Sequence, residues 1–454
     1  MRSACVFVLF FLTACSGNGA APATLLPERS TQVAAGVSSV PLAAVAATVH
    51  ALGGSKIKHV IVLIQENRTF DNLFHGFPGA DTVDFGLAHD GRRVALAATP
   101  IEQYFDPAHG HSDWQTEYDG GKLDGFDLDR TYPPANTPDP VYAYVQNSAV
   151  APYFTLAHAN TLADRMFASH TGASYTGHAY LIAGQSQRLI GNPTDPLGRW
   201  GCDAQPGTTT EQIQPDGSDL IAGPYPCFDY ATLGDRLDDA HLSWRYYANT
   251  GTRQGYAEIL PTPYDAIRHI RNGPDWKADV TNTPLQILTD VEFGKLPSVA
   301  WVNPPFVASD HPQSNLGLGP QWVATIANEV AASRYRNDTA ILVTWDDWGG
   351  WYDHVAPAQL DVVGLGFRVP LLVISPYAKH GYVSHVRHEF GSILHFIEDL
   401  DGLPSLGTTD VRADDLADCF DFTQKPRFAA AVQTRVDTNF FKRLPADTRP
   451  LDNE

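Results

Sequence analysis

The sequence predicts an α/β fold built on a mainly parallel central sheet with helices on both faces. Three observations carry that expectation. Short β-branched runs recur along the chain, among them His59 to Ile64, Ser298 to Val302, Ala340 to Thr344 and Val369 to Ile374. Each is apolar at nearly every position, so both faces must be covered, which is how parallel strands under helices read. Amphipathic stretches alternate with them, at Tyr153 to Phe167, Gln321 to Ser333 and Ser392 to Leu400, which completes the α/β rhythm.

Ahead of the first strand lie two segments of a different kind. "MRSACVFVLFFLTAC" carries one Arg and an apolar run from Ala4 to Leu12, too short to span a bilayer as a mature helix but suited to a signal-peptide core. Its ending, Leu12-Thr13-Ala14-Cys15, resembles the bacterial lipobox, which implies cleavage before Cys15 and lipidation of its thiol. Ser16 follows instead of the Asp linked to inner-membrane retention. The expected location is therefore the bacterial cell envelope, periplasm or outer membrane, with the membrane reached through a lipid anchor; an ordinary secretory signal with an incidental Cys is the alternative. Residues 16 to 55 are rich in Ala, Pro, Ser and Gly and poor in aromatics, the composition of a flexible tether. Folding is expected from about Lys56, so that 56–454 forms the catalytic domain. Residues 190 to 285 break the strand and helix rhythm with many turn residues and read as a loop-rich insertion beside the site.

Composition narrows the partners. At 43% hydrophobic and 18% charged the chain is globular, and 51 acidic against 31 basic residues leave a formal charge of −20. Such a surface repels nucleic acid and anionic lipid, so no nucleic-acid partner is expected and an anionic substrate needs a locally positive site such as a metal. In an oxidising compartment Cys202 and Cys227, close together in one Pro/Gly-rich stretch, are the expected disulfide, and Cys419 is expected to be a buried small residue. No Cys-x-x-Cys or His-Glu-x-x-His string is present, which disfavours a thiolate zinc site and a metallopeptidase.

Chemistry should gather beyond the carboxyl ends of parallel strands. "HVIVLIQENRTF" ends its apolar run on Glu66 and Asn67; "AILVTWDDWGGWYDHV" repeats the arrangement with Asp346 and Asp347 before two glycines. Three carboxylates and an amide form a hard oxygen set that suits one divalent ion, Mg, Mn or Ca, or Zn with further ligands. Either pair alone reads as an ordinary polar loop; two pairs at two strand ends do not. Thr69 reads as a helix cap, and Arg68 is left for a carboxylate behind the site, a pairing the sequence leaves open. In "LADRMFASHTGASYTGHAYLIAGQS" Ser174 sits on a Gly-flanked turn before an apolar helical run. Thr176 replaces the second glycine of G-x-S-x-G, so a lipase-type elbow is disfavoured, but a serine at a helix N-terminus, where backbone N–H groups favour a phosphoryl anion, still fits. His109 and His111 in "DPAHGHSDW", His311 in "SDHP" and His354 in "WYDHV" are imidazoles in loops, able to bind phosphoryl oxygens or protonate a leaving group.

The strings "ENRTFDNLFHGFPGAD", "DPAHG" with "GGKLDGF", "LADRMFASHTGASYTGHAYLIAG", "SDHP" and "TWDDWGGWYDHVAP", in this order, resemble the bacterial phosphoesterase family that contains phospholipases C and respiratory-burst-inhibiting acid phosphatases. The resemblance covers about residues 56 to 405. It implies an alkaline-phosphatase-like three-layer α/β sandwich, a metal held by Glu66, Asn67, Asp346 and Asp347, a nucleophile at Ser174, and phosphate-facing histidines at His109, His311 and His354. His111 competes with His109 for the first of these roles. The expected activity is hydrolysis of a phosphate monoester, or of a phosphodiester such as a phospholipid, through a phosphoserine; a non-catalytic surface lipoprotein on the same fold is the alternative. Where many phospholipase-type members continue with Pro-Asn-Arg, this chain has Thr176-Gly177-His178, which points toward a general phosphoesterase.

Overall fold

The computed structural model describes residues 56–248, 252–253, 256–257, 262–281, 283–314, 316–428 and 431–445. The signal segment and the tether lie outside the described residues. The central sheet has eight strands: β1 (His59–Gln65), β2 (Thr161–Ala163), β3 (Trp244–Tyr247), β4 (Val280–Thr281), β5 (Val299–Val302), β6 (Thr339–Trp345), β7 (Leu371–Ile374) and β8 (Tyr382–Ser384), in the spatial order β4, β3, β5, β1, β6, β7, β2, β8. All are parallel except β7, which runs antiparallel to both β6 and β2. The run at 369–374, expected to be parallel, is thus the reversed strand. An apolar pattern on both faces reports double-sided burial and carries no information on direction.

Pleat alternation assigns the covering helices. Gln65 on β1 points to one side, where its amide meets the Tyr153 hydroxyl at 3.0 Å, so α3 (Ala151–Ala159) covers that face with α5 (Gly319–Ala332) packed against it. Glu66, the next residue, points to the other, where α4 (Ser174–Ala183) lies against α6 (Phe390–Asp401). The result is a three-layer sandwich. Two short helices precede these, α1 (Phe70–Phe74) and α2 (His111–Tyr118). Thr69 caps α1 as expected, its hydroxyl oxygen accepting from Asn72 N at 3.1 Å.

Two expectations change. The helix expected over 153–167 ends at Ala159, and Thr161–Ala163 becomes a strand. Three residues carry too little periodicity to be seen, and pairing with β7 and β8 decides their state. The stretch 190–285 is not wholly an insertion, because β3 and β4 within it extend the central sheet. Outside that sheet stand short helices, a second antiparallel pair, Thr252–Arg253 with Tyr256–Ala257, and a small antiparallel patch in which Leu189 bridges to Gln212 and Gln212–Ile213 pairs with Asp219–Leu220. Cys202 and Cys227 are disulfide-bonded and Cys419 is a buried free thiol. The bond closes a loop of sequence separation 25, so C202A/C227A should lower local stability by about 3 kcal/mol. Limited proteolysis should then cut first within 203–226, at an unchanged rate for the central sheet.

Candidate active site

The register of the sheet builds the site. Gln65 is paired with Trp345 across β1 and β6, so the residues that follow, Glu66 and Asp346, emerge side by side from two parallel strand ends. The Asn67 N–H donates to Asp346 Oδ1 at 3.0 Å, and the Asp347 N–H donates to the same oxygen at 2.9 Å. Asn67 itself has φ +59°, which turns its side chain back across the strand ends. That turn needs room: a Cβ on Gly349 would lie 2.3 Å from the Asn67 carbonyl oxygen, so only glycine fits there.

Helix α4 brings the nucleophile candidate. Ser174 is its first residue, and its hydroxyl donates to Asp347 Oδ2 at 3.4 Å. The helix approaches closely because of Gly177, where a Cβ would fall 2.4 Å from the Asp346 carbonyl oxygen. Of the N–H groups at the helix start, that of Tyr175 is taken by Asn192 Oδ1 at 3.0 Å, so it is not available to an anion as the sequence suggested.

One short strand, Asp106–Pro107, positions two histidines. His109 Nδ1–H donates to the Pro107 carbonyl at 2.8 Å, which leaves Nε2 to accept from Asn67 Nδ2 at 3.0 Å, 3.9 Å from Asp347 Oδ2. His311 Nε2 lies 3.5 Å from Asp106 Oδ2. His111 turns away, its Nδ1 on the Thr171 hydroxyl at 2.8 Å and its Nε2 3.7 Å from Asp219 of the antiparallel patch; of the two neighbours, His109 is the one at the carboxylates.

His354 is placed elsewhere. Its ring sits on Asp71 Oδ2 at 2.6 Å and Asp81 Oδ1 at 3.2 Å, within a buried network in which Arg368 donates to both Asp353 oxygens at 2.8 and 3.1 Å. Burial opposes its charge, but the Asp71 hydrogen bond and charge hold its pKa above the ordinary value. Because Arg368 already supplies the cation, Asp71, Asp353 and His354 form a structural ion cluster. Removing that cation as Arg368→Met should strand buried Asp353 and cost about 3–5 kcal/mol, read by denaturant unfolding.

Arg68 also has its answer. It is fully buried, donates through Nε to the Asp310 carbonyl at 2.8 Å and through an NH2 to the Ile101 carbonyl at 2.6 Å, and stacks on Trp351. Asp310 in turn accepts from Tyr153, Trp345 and Gln65. This tie holds the loop that presents His311. Burial lowers the Arg68 pKa to about 10 and raises that of Asp310 to about 6.

Sequence reasoning passed over two further histidines. His170 Nε2–H donates to the Asp346 carbonyl at 3.0 Å, and burial lowers its pKa to about 4. His178 places Nε2 3.1 Å from Glu66 Oε1. The second was legible in principle, since it follows Ser174 by four residues and so shares its helix face.

The electrostatics favour a cation. Burial first, then repulsion from Glu66, raises Asp346 to about 7; burial and Asp346 do the same to Asp347. Asn67 Oδ1 and Asp346 Oδ2 are buried without a hydrogen-bond partner. Donor atoms of Glu66, His178 and Asp346 lie within 4.8 Å of one another. Crowded carboxylates together with orphaned oxygens fit a divalent ion.

The chain is 24% identical over 430 residues to a non-hemolytic phospholipase C of Pseudomonas aeruginosa, covering 82% of this chain but only 57% of that protein's length. It is 26% identical over 453 residues to phospholipase C B of Mycobacterium tuberculosis, covering 86% of this chain and 82% of the relative. Among solved structures, a protein in the alkaline phosphatase superfamily from Vibrio parahaemolyticus aligns at a TM-score of 0.38 and 11% identity over 78% of this chain and 70% of that one. The pattern of the Phosphoesterase family matches residues 57–404, and the chain belongs to that family.

Proposed function

We propose that this chain is an exported, lipid-anchored, metal-dependent phosphoesterase that hydrolyses phosphoric esters through a phosphoserine at Ser174. The observation that carries the reading is the Ser174 hydroxyl, first on its helix, directed at Asp347 Oδ2 inside a buried set of oxygen donors. Glu66, Asn67, Asp346 and Asp347 would hold a divalent ion, which when bound would polarise the phosphoryl oxygens and favour the serine alkoxide. Ser174, oriented by its hydrogen bond to Asp347 Oδ2, gives its proton to solvent as Oγ attacks phosphorus. His109, fixed by Pro107 with its Nε2 toward Asn67, keeps that amide in position. His311, whose Nε2 lies 3.5 Å from Asp106 Oδ2, gives a proton to the leaving alcohol. Water then hydrolyses the phosphoserine, and two in-line displacements give net retention at phosphorus.

The relatives named phospholipase C favour a phosphodiester of the phospholipid type, whereas Thr176-Gly177-His178 favours a broader phosphoesterase with acid-phosphatase activity. Assay of the purified chain against p-nitrophenyl phosphate, bis-p-nitrophenyl phosphate and phosphatidylcholine, with and without chelator, separates them. Metal-dependent turnover supports the reading and the preferred ester fixes the class. No turnover of any of the three by folded, metal-loaded protein would leave the surface-lipoprotein alternative in its place.

A further inference from the structure

His178 reaches the metal site by a route the oxygen donors do not share. Its Nδ1 lies 3.1 Å from the Tyr246 hydroxyl, and that hydroxyl donates to Asn303 Oδ1 at 2.8 Å. Tyr246 has one proton and it is committed, so its oxygen accepts from His178 Nδ1–H. The neutral ring therefore turns the lone pair of Nε2 toward Glu66 Oε1 at 3.1 Å and Asp346 Oδ2 at 3.8 Å. A lone pair facing two carboxylate oxygens is repulsive. His178, Glu66 and Asp346 are all fully buried, and their donor atoms lie within 4.8 Å of one another. A shared cation relieves the repulsion. The His178–Glu66 spacing fits: donors bound to one ion at about 2.0–2.1 Å stand roughly 2.9–3.4 Å from their neighbours in octahedral or tetrahedral geometry, and the 3.8 Å to Asp346 Oδ2 would close by a few tenths of an ångström on binding.

We propose that His178 is a nitrogen ligand of the bound cation, beside Glu66 and Asp346, and that the site therefore takes a zinc-class transition ion in preference to Mg2+ or Ca2+. Imidazole suits zinc-class ions, whereas carboxylate and carbonyl oxygens alone suit magnesium and calcium. Asn303 and Tyr246, at the carboxyl ends of two neighbouring strands, orient the ring from behind, as hydrogen-bonded partners commonly orient ligand histidines. The inference rests on the metal-dependent reading above, but its test reads binding and coordination instead of turnover.

The full chain is stripped of metal and titrated with Zn2+, Co2+, Mg2+ and Ca2+. Zn2+ and Co2+ should bind about 100-fold or more tightly than Mg2+ and Ca2+, and His178→Gln should lose at least the roughly 10- to 100-fold in Zn2+ affinity that removal of a ligand's hydrogen-bonded partner costs, with altered visible bands of bound Co2+. Its Mg2+ affinity should change little. X-ray absorption at the zinc edge of the unaltered protein should show imidazole scattering that survives in His109→Ala, a measurement that decides even if the His178 variant does not fold. Absence of imidazole scattering, its loss with His109, or unchanged Zn2+ affinity and Co2+ bands in His178→Gln would overturn the proposal. Imidazole coordination by a protein that turns over no phosphoester would leave it standing and overturn the functional reading alone.

Discussion

Ser174→Ala should lower kcat on every phosphoester substrate by about a thousandfold or more, the scale on which removal of a nucleophile or a single key stabilising group acts. Folding should be nearly untouched, because the hydroxyl's bond to Asp347 is long, 3.4 Å, and deleting such a bond costs about 1 kcal/mol. Kinetics and thermal unfolding on the same preparation separate the two effects. Acid quenching during turnover should trap phosphate on the peptide containing Ser174, detectable by mass spectrometry and absent in the variant. Stereochemistry supplies an independent check: a chiral phosphoester transferred to an acceptor alcohol should retain configuration. A variant within tenfold of the unaltered rate, together with inversion at phosphorus, would mean that water attacks the ester directly and that Ser174 only lines the site.

The parts of the site that could be read from the sequence are those set by local pattern. Glu66 with Asn67 and Asp346 with Asp347 each follow an unbroken apolar run, and that break in pattern marks a strand end wherever the strand sits. What the pattern could not say is that β1 and β6 are neighbours in parallel register, yet that pairing is what turns two polar loops into one donor set. His354 misled for the same reason. Its string is continuous with Asp346 and Asp347, but the chain carries it to Asp71 and Asp81, where Arg368, fourteen residues further on, pairs with the Asp71 and Asp353 carboxylates. His109 and His111 were indistinguishable in sequence, and the Pro107 carbonyl separates them by fixing one ring toward Asn67. The short strands β2 and β4 escaped notice because two or three residues show no period; their state is decided by partners distant in sequence.

Stripped of divalent ions, the protein should lose stability as the pH rises from about 4 to about 7, and metal should reverse that loss. Asp346 and Asp347 are raised to about 7 in the fold, against 3.8 for the unperturbed group. Between these values the folded chain holds protons that the unfolded chain has released, so stability is greatest below the lower value and falls as the pH passes through the higher one. A bound cation requires both groups ionised. It must displace those protons, so its affinity should climb with pH to about 7 and then level off. Asp310, raised to about 6 by burial, contributes a slope of the same sign, but it is held by Tyr153, Trp345 and Gln65 in both forms and cancels in the difference. Thermal unfolding from pH 5 to pH 8, with and without Zn2+, therefore isolates the site: the rise in Tm caused by the ion should grow across this range. Calorimetric titration in two buffers of different ionisation enthalpy should show proton release at pH 6 that diminishes by pH 8. A metal-induced shift of constant size at every pH would place the ion on groups already ionised, away from Asp346 and Asp347.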